Sequence, residues 1–332
     1  MPSRAALAFA ILLAAAAPIR AADAPEPIGI ALEGFAYPYP VAFMPVTLNG
    51  EALRMAYMDV PPSGAANGRA VVLLHGRNFP ASYWEPVAKA LAGAGYRVVI
   101  PDQIGFGKSS KPIQATSFDD LGRWTAALLD RLNIPQADVV AHSMGGMLAV
   151  RLARAYPGKV ARLVLQAPIG LEDYRLYVPP VETRRLLEQE RGLSAEAYKR
   201  QLVSNYALTR PEDADPYVEL RERIKGSGEY ERWLRSFVNS YQMIYREPVA
   251  HEIPLVTQPT LFVMGARDHN APGRPFAPPE LRPKMGENAK LAEALAGRMP
   301  KGRAVVFEEA GHMVHLDAGP RFNETVLQFL AE

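Results

Sequence analysis

At 332 residues, with 48% hydrophobic and 22% charged content, the chain has the make-up of an ordinary globular protein and can bury a full core. Its formal net charge is +2, and two of its cations, Arg4 and Arg20, fall in an N-terminal leader; the remainder is near neutral, which excludes the electrostatic footprint of a nucleic-acid or anionic-membrane partner. No cysteine is present, which excludes disulfides, thiol catalysis, c-type haem attachment and a lipoprotein anchor.

The leader comes first. Arg4 precedes an unbroken apolar run of 13 residues, Ala5 to Ala17, and the small pair Ala21-Ala22 follows. That is the pattern of a Sec-type signal peptide over residues 1–22, cleaved after Ala21 or Ala22. The run is too short to span a bilayer, so no stable membrane anchor is expected after cleavage. An exported protein, periplasmic or secreted, is expected.

Residues 23–45, with Tyr37-Pro38-Tyr39-Pro40, read as an extended lead-in. From about Val46 strands and helices alternate. Ala70 to Leu74 is a fully apolar strand followed by His75-Gly76, and Ser82 to Ala94 is an amphipathic helix ending at Gly95. Arg97 to Ile100 is a buried strand closed by Pro101-Asp102, and Phe118 to Leu132 is a helix with Ser117 as its N-cap. Asp138 to Ala141 is a short buried strand. Met147 to Tyr156 has apolar residues at helical spacing, and Arg162 to Gln166 is a further strand. Continuous Val/Leu/Ile strands in repeated β-α-β order imply a mostly parallel sheet covered on both faces. The alternation stops near Pro168: residues 171–250 are helical, charged and aromatic. It resumes with a strand at 260–264, a helix at 287–298, a strand at 304–307 and a helix at 320–331. The expected organisation is therefore an α/β core over 46–170 and 251–332, interrupted by a helical cap over 171–250.

Ala141-His142-Ser143-Met144-Gly145-Gly146 lies between a strand and a helix. A serine flanked by small residues at such a junction has its hydroxyl lifted clear of a tight turn, at a helix N-terminus that favours developing negative charge. The usual G-x-S-x-G pattern has Ala141 at its first position. Serine is a poor nucleophile at neutral pH and needs a base and an orienter for that base. Both follow strand ends: Gly265-Ala266-Arg267-Asp268 after one strand, Ala310-Gly311-His312 after another. Open parallel sheets place their sites at those ends.

The chain order Ser143, Asp268, His312 resembles the α/β-hydrolase superfamily, and the resemblance runs from Val46 to Glu332. His75-Gly76-Arg77 is similar to the family's oxyanion loop, and Asp102 to Ser109 to its D-x-x-G-x-G-x-S loop. The resemblance implies an α/β-hydrolase fold with an inserted cap. It also implies a catalytic triad of Ser143, His312 and Asp268, with an oxyanion hole of the Arg77 and Met144 backbone N–H groups. Ser143 would attack a carbonyl carbon, His312 would take and return a proton, and Asp268 would hold the imidazole.

Other readings are weaker. Glu172 and Asp173 stand where some relatives carry the acid, without the Gly-x-x-Asp turn. His75 reads as a structural histidine of the oxyanion turn, and His142 and His269 as bystanders. Asp102 reads as a residue that ties its own loop. His312 and His315 have H-x-x-H spacing but no third ligand pattern, so no metal is expected, and no cofactor. Of the cap aromatics Tyr174, Tyr177, Tyr198, Tyr206, Trp233, Phe237, Tyr241 and Tyr245, only a minority is expected to reach substrate. The Pro-rich stretch 270–286 either roofs the pocket or forms a rigid surface loop.

The reaction expected first is hydrolysis of a small-molecule carboxylic ester through an acyl-enzyme. Alternatives with the same three residues are a carbon–carbon bond hydrolase and a prolyl aminopeptidase, the latter needing a cap carboxylate such as Glu219, Glu222, Glu229 or Glu231 to hold an amine. From another class comes a ligand-binding protein that kept the fold without turnover.

Overall fold

The computed structural model describes residues 25–332, so the leader read at residues 1–22 lies outside the described residues. Eight strands form a single sheet: β1 (Val41–Leu48), β2 (Glu51–Val60), β3 (Ala70–Leu74), β4 (Arg97–Pro101), β5 (Ala137–His142), β6 (Val160–Gln166), β7 (Thr260–Gly265) and β8 (Gly302–Phe307). Their order is β1-β2-β4-β3-β5-β6-β7-β8. β1 and β2 run antiparallel to their neighbours, and the other six are parallel. The helices are α1 (Glu85–Gly93), α2 (Phe118–Arg131), α3 (Met144–Ala155), α4 (Thr183–Arg191), α5 (Ala195–Tyr206), α6 (Asp215–Lys225), α7 (Tyr230–Arg246), α8 (Asn288–Ala296), α9 (Val314–Asp317) and α10 (Gly319–Ala331).

Side chains alternate across each strand, and here both sets are apolar. Val72, Leu74, Val139, Leu163 and Phe262 pack with α2, α3 and α8 on one face; Val71, Leu73, Val140, Val164 and Val263 pack with α1 and α10 on the other. The sheet is thus buried on both sides, as continuous apolar strands require. Ser117 caps α2 in a complete capping box with Asp120.

The first two strands, β1 and β2, are not singled out in the sequence. β1 starts at Val41, inside the stretch read as lead-in, and pairs with β2 through the Asn49-Gly50 turn, where both residues have positive φ (47° and 87°). Asn-Gly is the hairpin dipeptide that tolerates this geometry. β1 is an edge strand with most of its residues at least partly exposed, so it lacks the apolar run that marked its neighbours.

Between β6 and β7 the chain leaves the sheet and builds α4 to α7 above the strand C-termini. α7 repeats apolar residues at helical spacing, with Trp233, Leu234, Phe237 and Val238 buried. They pack with Leu186, Leu220 and Ile224 and with Ile28, Ile30 and Leu32 of the N-terminal segment. The segment before β1 is thereby fixed to the cap. Ile28 N–H donates to the Arg223 carbonyl (3.1 Å), Lys108 Nζ to the Leu32 carbonyl (2.6 Å) and the Tyr37 hydroxyl to Asp102 (2.7 Å).

Candidate active site

Ser143 sits between β5 and α3 with φ 56° and ψ −119°, a left-handed conformation that costs a non-glycine residue on the order of 1–3 kcal/mol. The turn holds because nothing else fits. A Cβ on Gly145 would lie 2.5 Å from the Leu74 carbonyl oxygen, and one on Gly146 would lie 2.5 Å from Pro168. Ala141 sits one residue inside the end of β5, paired with Leu74 and Leu165 in ordinary strand geometry, so the missing first glycine of the pattern has no conformational consequence. Ser143 opens onto a cavity beneath the cap, lined also by Arg77, Asn78, Ile169, Tyr198, Tyr206 and Phe237.

Asp268 and His312 meet across the ends of β7 and β8. His312 Nδ1 lies 3.0 Å from Asp268 Oδ2, and both side chains are fully buried. Asp268 Oδ1 accepts the Asn270 backbone N–H at 2.9 Å. A carboxylate only accepts, so His312 donates from Nδ1 and keeps a lone pair on Nε2. Gly265 shows why the two turns carry glycine: a Cβ there would lie 2.1 Å from the Gly311 carbonyl oxygen. The group found at His312 Nε2 is the Asn270 side-chain amide, 3.4 Å away; no hydrogen bond joins Ser143 to His312 among the described residues.

Of the two expected oxyanion donors, Met144 follows the serine directly, and Arg77 follows Gly76, where an added Cβ would lie 3.2 Å from Ser143 Cβ. Met144 is the first residue of α3, where helical N–H groups lack partners, and the Arg77 N–H likewise has no acceptor among the described residues. The Gln103 N–H donates to His75 Nε2 (2.9 Å), which leaves His75 Nδ1–H to donate to the Gly76 carbonyl (2.8 Å). That carbonyl shares a planar trans peptide with the Arg77 N–H, so fixing one aims the other the opposite way. Asp102 binds its own surroundings: its carboxylate accepts the Ala81 and Lys108 N–H groups, both at 2.8 Å.

Glu172 accepts the Gly286 N–H (3.0 Å) and ties the Pro-rich insertion to the core; it does not touch His312. Asp173 caps a short turn at Arg175. The first part of the insertion, Asn270 to Gly273 with Pro275 and Phe276, roofs the cavity. Of the eight cap aromatics, Tyr198, Tyr206, Phe237 and Tyr241 line it; that is half, where a minority was expected. Glu219, Glu222, Glu229 and Glu231 do not. His269 bonds the Gly286 carbonyl, and His315 Nδ1 bonds the Gln166 amide. His142, read as a bystander, contacts the turn that carries His312. Its ring lies 4.8 Å from that of His312, and its Nε2 is 3.2 Å from the His312 carbonyl oxygen. Sequence neighbours of a turn residue normally point away from it, but here the tight elbow brings the two turns together.

Residues 69–274 match the family model for the alpha/beta hydrolase fold. The chain belongs to that family. This α/β hydrolase is 31% identical over 299 residues to a 2-hydroxy-6-oxononadienedioate/2-hydroxy-6-oxononatrienedioate hydrolase from Burkholderia vietnamiensis, covering 87% of this chain and 94% of the relative. It is 26% identical to a 2-hydroxy-6-oxo-6-phenylhexa-2,4-dienoate hydrolase from Burkholderia cepacia, over 86% of this chain and 95% of that one. Among solved structures, a probable hydrolytic enzyme from Pseudomonas aeruginosa PAO1 superposes with a TM-score of 0.88 at 41% identity, covering 93% of this hydrolase and 99% of that chain.

The cavity wall of the hydrolase carries one cation, Arg77, and one carboxylate, Glu190. Arg77 lies over the Phe237 ring at 3.8 Å, with Nε bonded to Ser240 Oγ (2.9 Å) and Nη2 to the Phe237 carbonyl (3.1 Å). Burial pushes its pKa below the usual range, yet a guanidinium stays protonated. Glu190, on the same wall, is engaged by Arg221 at 2.6 Å. Glu190 is therefore taken by Arg221, and Arg77 has no ion pair of its own among the described residues.

Proposed function

We propose that this hydrolase cleaves a carbon–carbon bond beside a carbonyl in a small substrate that carries a carboxylate, with Ser143 as nucleophile, His312 as base and acid, and Asp268 as its orienter. Ser143 Oγ adds to the carbonyl carbon as its proton passes to His312, and the oxyanion is met by the Arg77 and Met144 N–H groups. The carbon–carbon bond then breaks. Its electron pair must be delocalised onto a second carbonyl in conjugation, and the fragment takes the proton from His312. Water hydrolyses the acyl-enzyme, so one water is consumed and a carboxylic acid is released. The observation that carries the reading is Ser143 at a strained elbow on the same cavity as the unpaired Arg77, in a chain among whose curated relatives are proteins named as hydrolases of oxo-dienoates and dienedioates. A partly buried, unpaired cation is costly, and a substrate carboxylate offsets that cost.

Ester hydrolysis, the first expectation from the residues, needs no conjugated leaving group and is the competing outcome. Purified protein is offered a 2-hydroxy-6-oxo-dienoate, p-nitrophenyl esters of increasing acyl length and proline β-naphthylamide. Expected is loss of the dienoate chromophore with kcat/KM at least about tenfold above any ester, and none of it in a folded Ser143→Ala variant. Turnover confined to esters would replace the carbon–carbon reading; full activity in Ser143→Ala would remove the serine from it. Export, supported by the leader pattern at residues 1–22, is read by whether the protein in a periplasmic fraction begins at Ala22 or Asp23.

A further inference from the structure

Three turns have to keep their spacing for the proposed reaction: the oxyanion turn at Gly76-Arg77, the elbow at Ser143 and the base turn at His312. They approach so closely that a Cβ on Gly76 would lie 2.9 Å from His142 Nδ1 and 3.2 Å from Ser143 Cβ. Two side chains with no assigned part in the chemistry bridge them. The Gly76 N–H donates to the Tyr83 hydroxyl at 3.1 Å, that hydroxyl lies 3.0 Å from His142 Nδ1, and His142 Nε2 lies 3.2 Å from the His312 carbonyl oxygen. Tyr83 and His142 are both buried.

The two ends of this chain determine every proton in it. A backbone carbonyl only accepts, so His142 carries its hydrogen on Nε2 and its Nδ1 is an acceptor. A backbone N–H only donates, so the Tyr83 oxygen accepts from Gly76 and its own hydrogen goes to His142. The chain is directional, fully satisfied and shielded from water, the condition in which successive hydrogen bonds reinforce one another. Burial first, then the neighbouring His312 and His315, hold the His142 ring well below the usual imidazole range, which agrees with the neutral tautomer.

We propose that Tyr83 and His142 are positioning residues that couple the oxyanion turn to the base turn through one hydrogen-bond chain. The proposal rests on the serine hydrolase reading above. Its effect is on the reacting geometry, so it shows in kcat and in the reactivity of Ser143, with little change in KM.

The test uses the rate at which a fluorophosphonate labels Ser143, which needs no knowledge of the natural substrate, alongside kcat and KM on the best substrate of the panel. Tyr83→Phe keeps the ring and removes only the hydroxyl. Tyr83→Phe and His142→Ala are each expected to slow labelling and kcat about tenfold, with KM within about twofold, in proteins whose thermal melts show a folded state. His142→Gln, which can still donate to the His312 carbonyl, is expected to recover part of the loss. A Tyr83→Phe/His142→Gln double variant should be little slower than the worse single, because a broken chain cannot be broken twice. Wild-type labelling rates in Tyr83→Phe, or effects that multiply in the double variant, would overturn the coupling. Failure of the wild-type protein to label at all would instead remove the hydrolase reading, and this proposal with it.

Discussion

Tyr206, the last residue of α5, is stacked on His312, with ring centroids 4.7 Å apart and planes 24° from parallel. The same residue accepts the His312 backbone N–H on its carbonyl at 2.8 Å. A cap helix therefore ends on the proposed base, and the position of His312 depends on the cap as much as on β8. Removing the ring in Tyr206→Ala should lower kcat/KM by roughly 10²-fold, the scale of an ångström-level misplacement of a reacting group. Tyr206→Phe keeps the stack and loses only the contact with the Asn78 amide, so it should stay within about threefold of wild type. Steady-state kinetics on both variants decides this; equal losses would mean that the stack is irrelevant.

Gly145 carries a prediction about stability. A methyl group there would meet the Leu74 and His75 carbonyl oxygens at 2.5 and 2.8 Å, and both belong to backbone that cannot yield. Gly145→Ala should destabilise the protein by about 2–3 kcal/mol, at the upper end of overpacking effects. Chemical denaturation measures it, and a loss below about 0.5 kcal/mol would show that the elbow can relax.

Arg77→Gln tests the substrate class. The backbone donor is kept and the charge is lost. The preference for a carboxylate-bearing substrate over its methyl ester, taken as a ratio of kcat/KM values, should collapse by about 10- to 100-fold, the worth of a hydrogen bond to a charged group. An unchanged ratio would mean that Arg77 faces no substrate charge.

Acid stability follows from the buried histidines. Burial lowers the pKa of His75 and His142 and takes His315 down to about 3. Each folded-state value lies below the unfolded value of about 6.5, so the unfolded chain binds protons that the folded chain refuses. Stability is therefore fully present above about pH 6.5 and falls as the pH drops below it, each ring contributing up to ~1.4 kcal/mol per pH unit. Burial raises Asp138, Glu172 and Glu247, which offsets part of the loss at lower pH. Melting temperatures at pH 7.5 and 5.5 should differ by several degrees; equal values would show these rings already protonated in the fold.

The sheet was legible because strands buried on both faces leave unbroken apolar runs, as at Ala70–Leu74 and Thr260–Gly265. β1 was not, because an exposed edge strand has no such run. The turns at Ser143, Asp268 and His312 were readable from their glycines, since close backbone approach at Gly145, Gly265 and Gly311 admits no side chain. What stayed hidden was contact between turns. Nothing in the local sequence says that His142 reaches His312, that Asn270 faces Nε2, or that Tyr206 lies on the base. Those pairings come from the mutual placement of distant segments, which local periodicity does not encode.

The N-terminal segment has a mechanical consequence. The cap joins the core at its two chain ends, and Ile28, Ile30 and Leu32 add a third mooring, buried among cap residues while Tyr37 holds Asp102 on the core side. A body hinged at two points can swing; one pinned at three cannot, unless a pin is drawn. Lifting the whole cap would expose those three apolar side chains, at a cost of roughly 1.5–3 kcal/mol for each. Raising the whole cap to admit a substrate therefore carries a cost that a cap joined to the core only at its two chain ends would not.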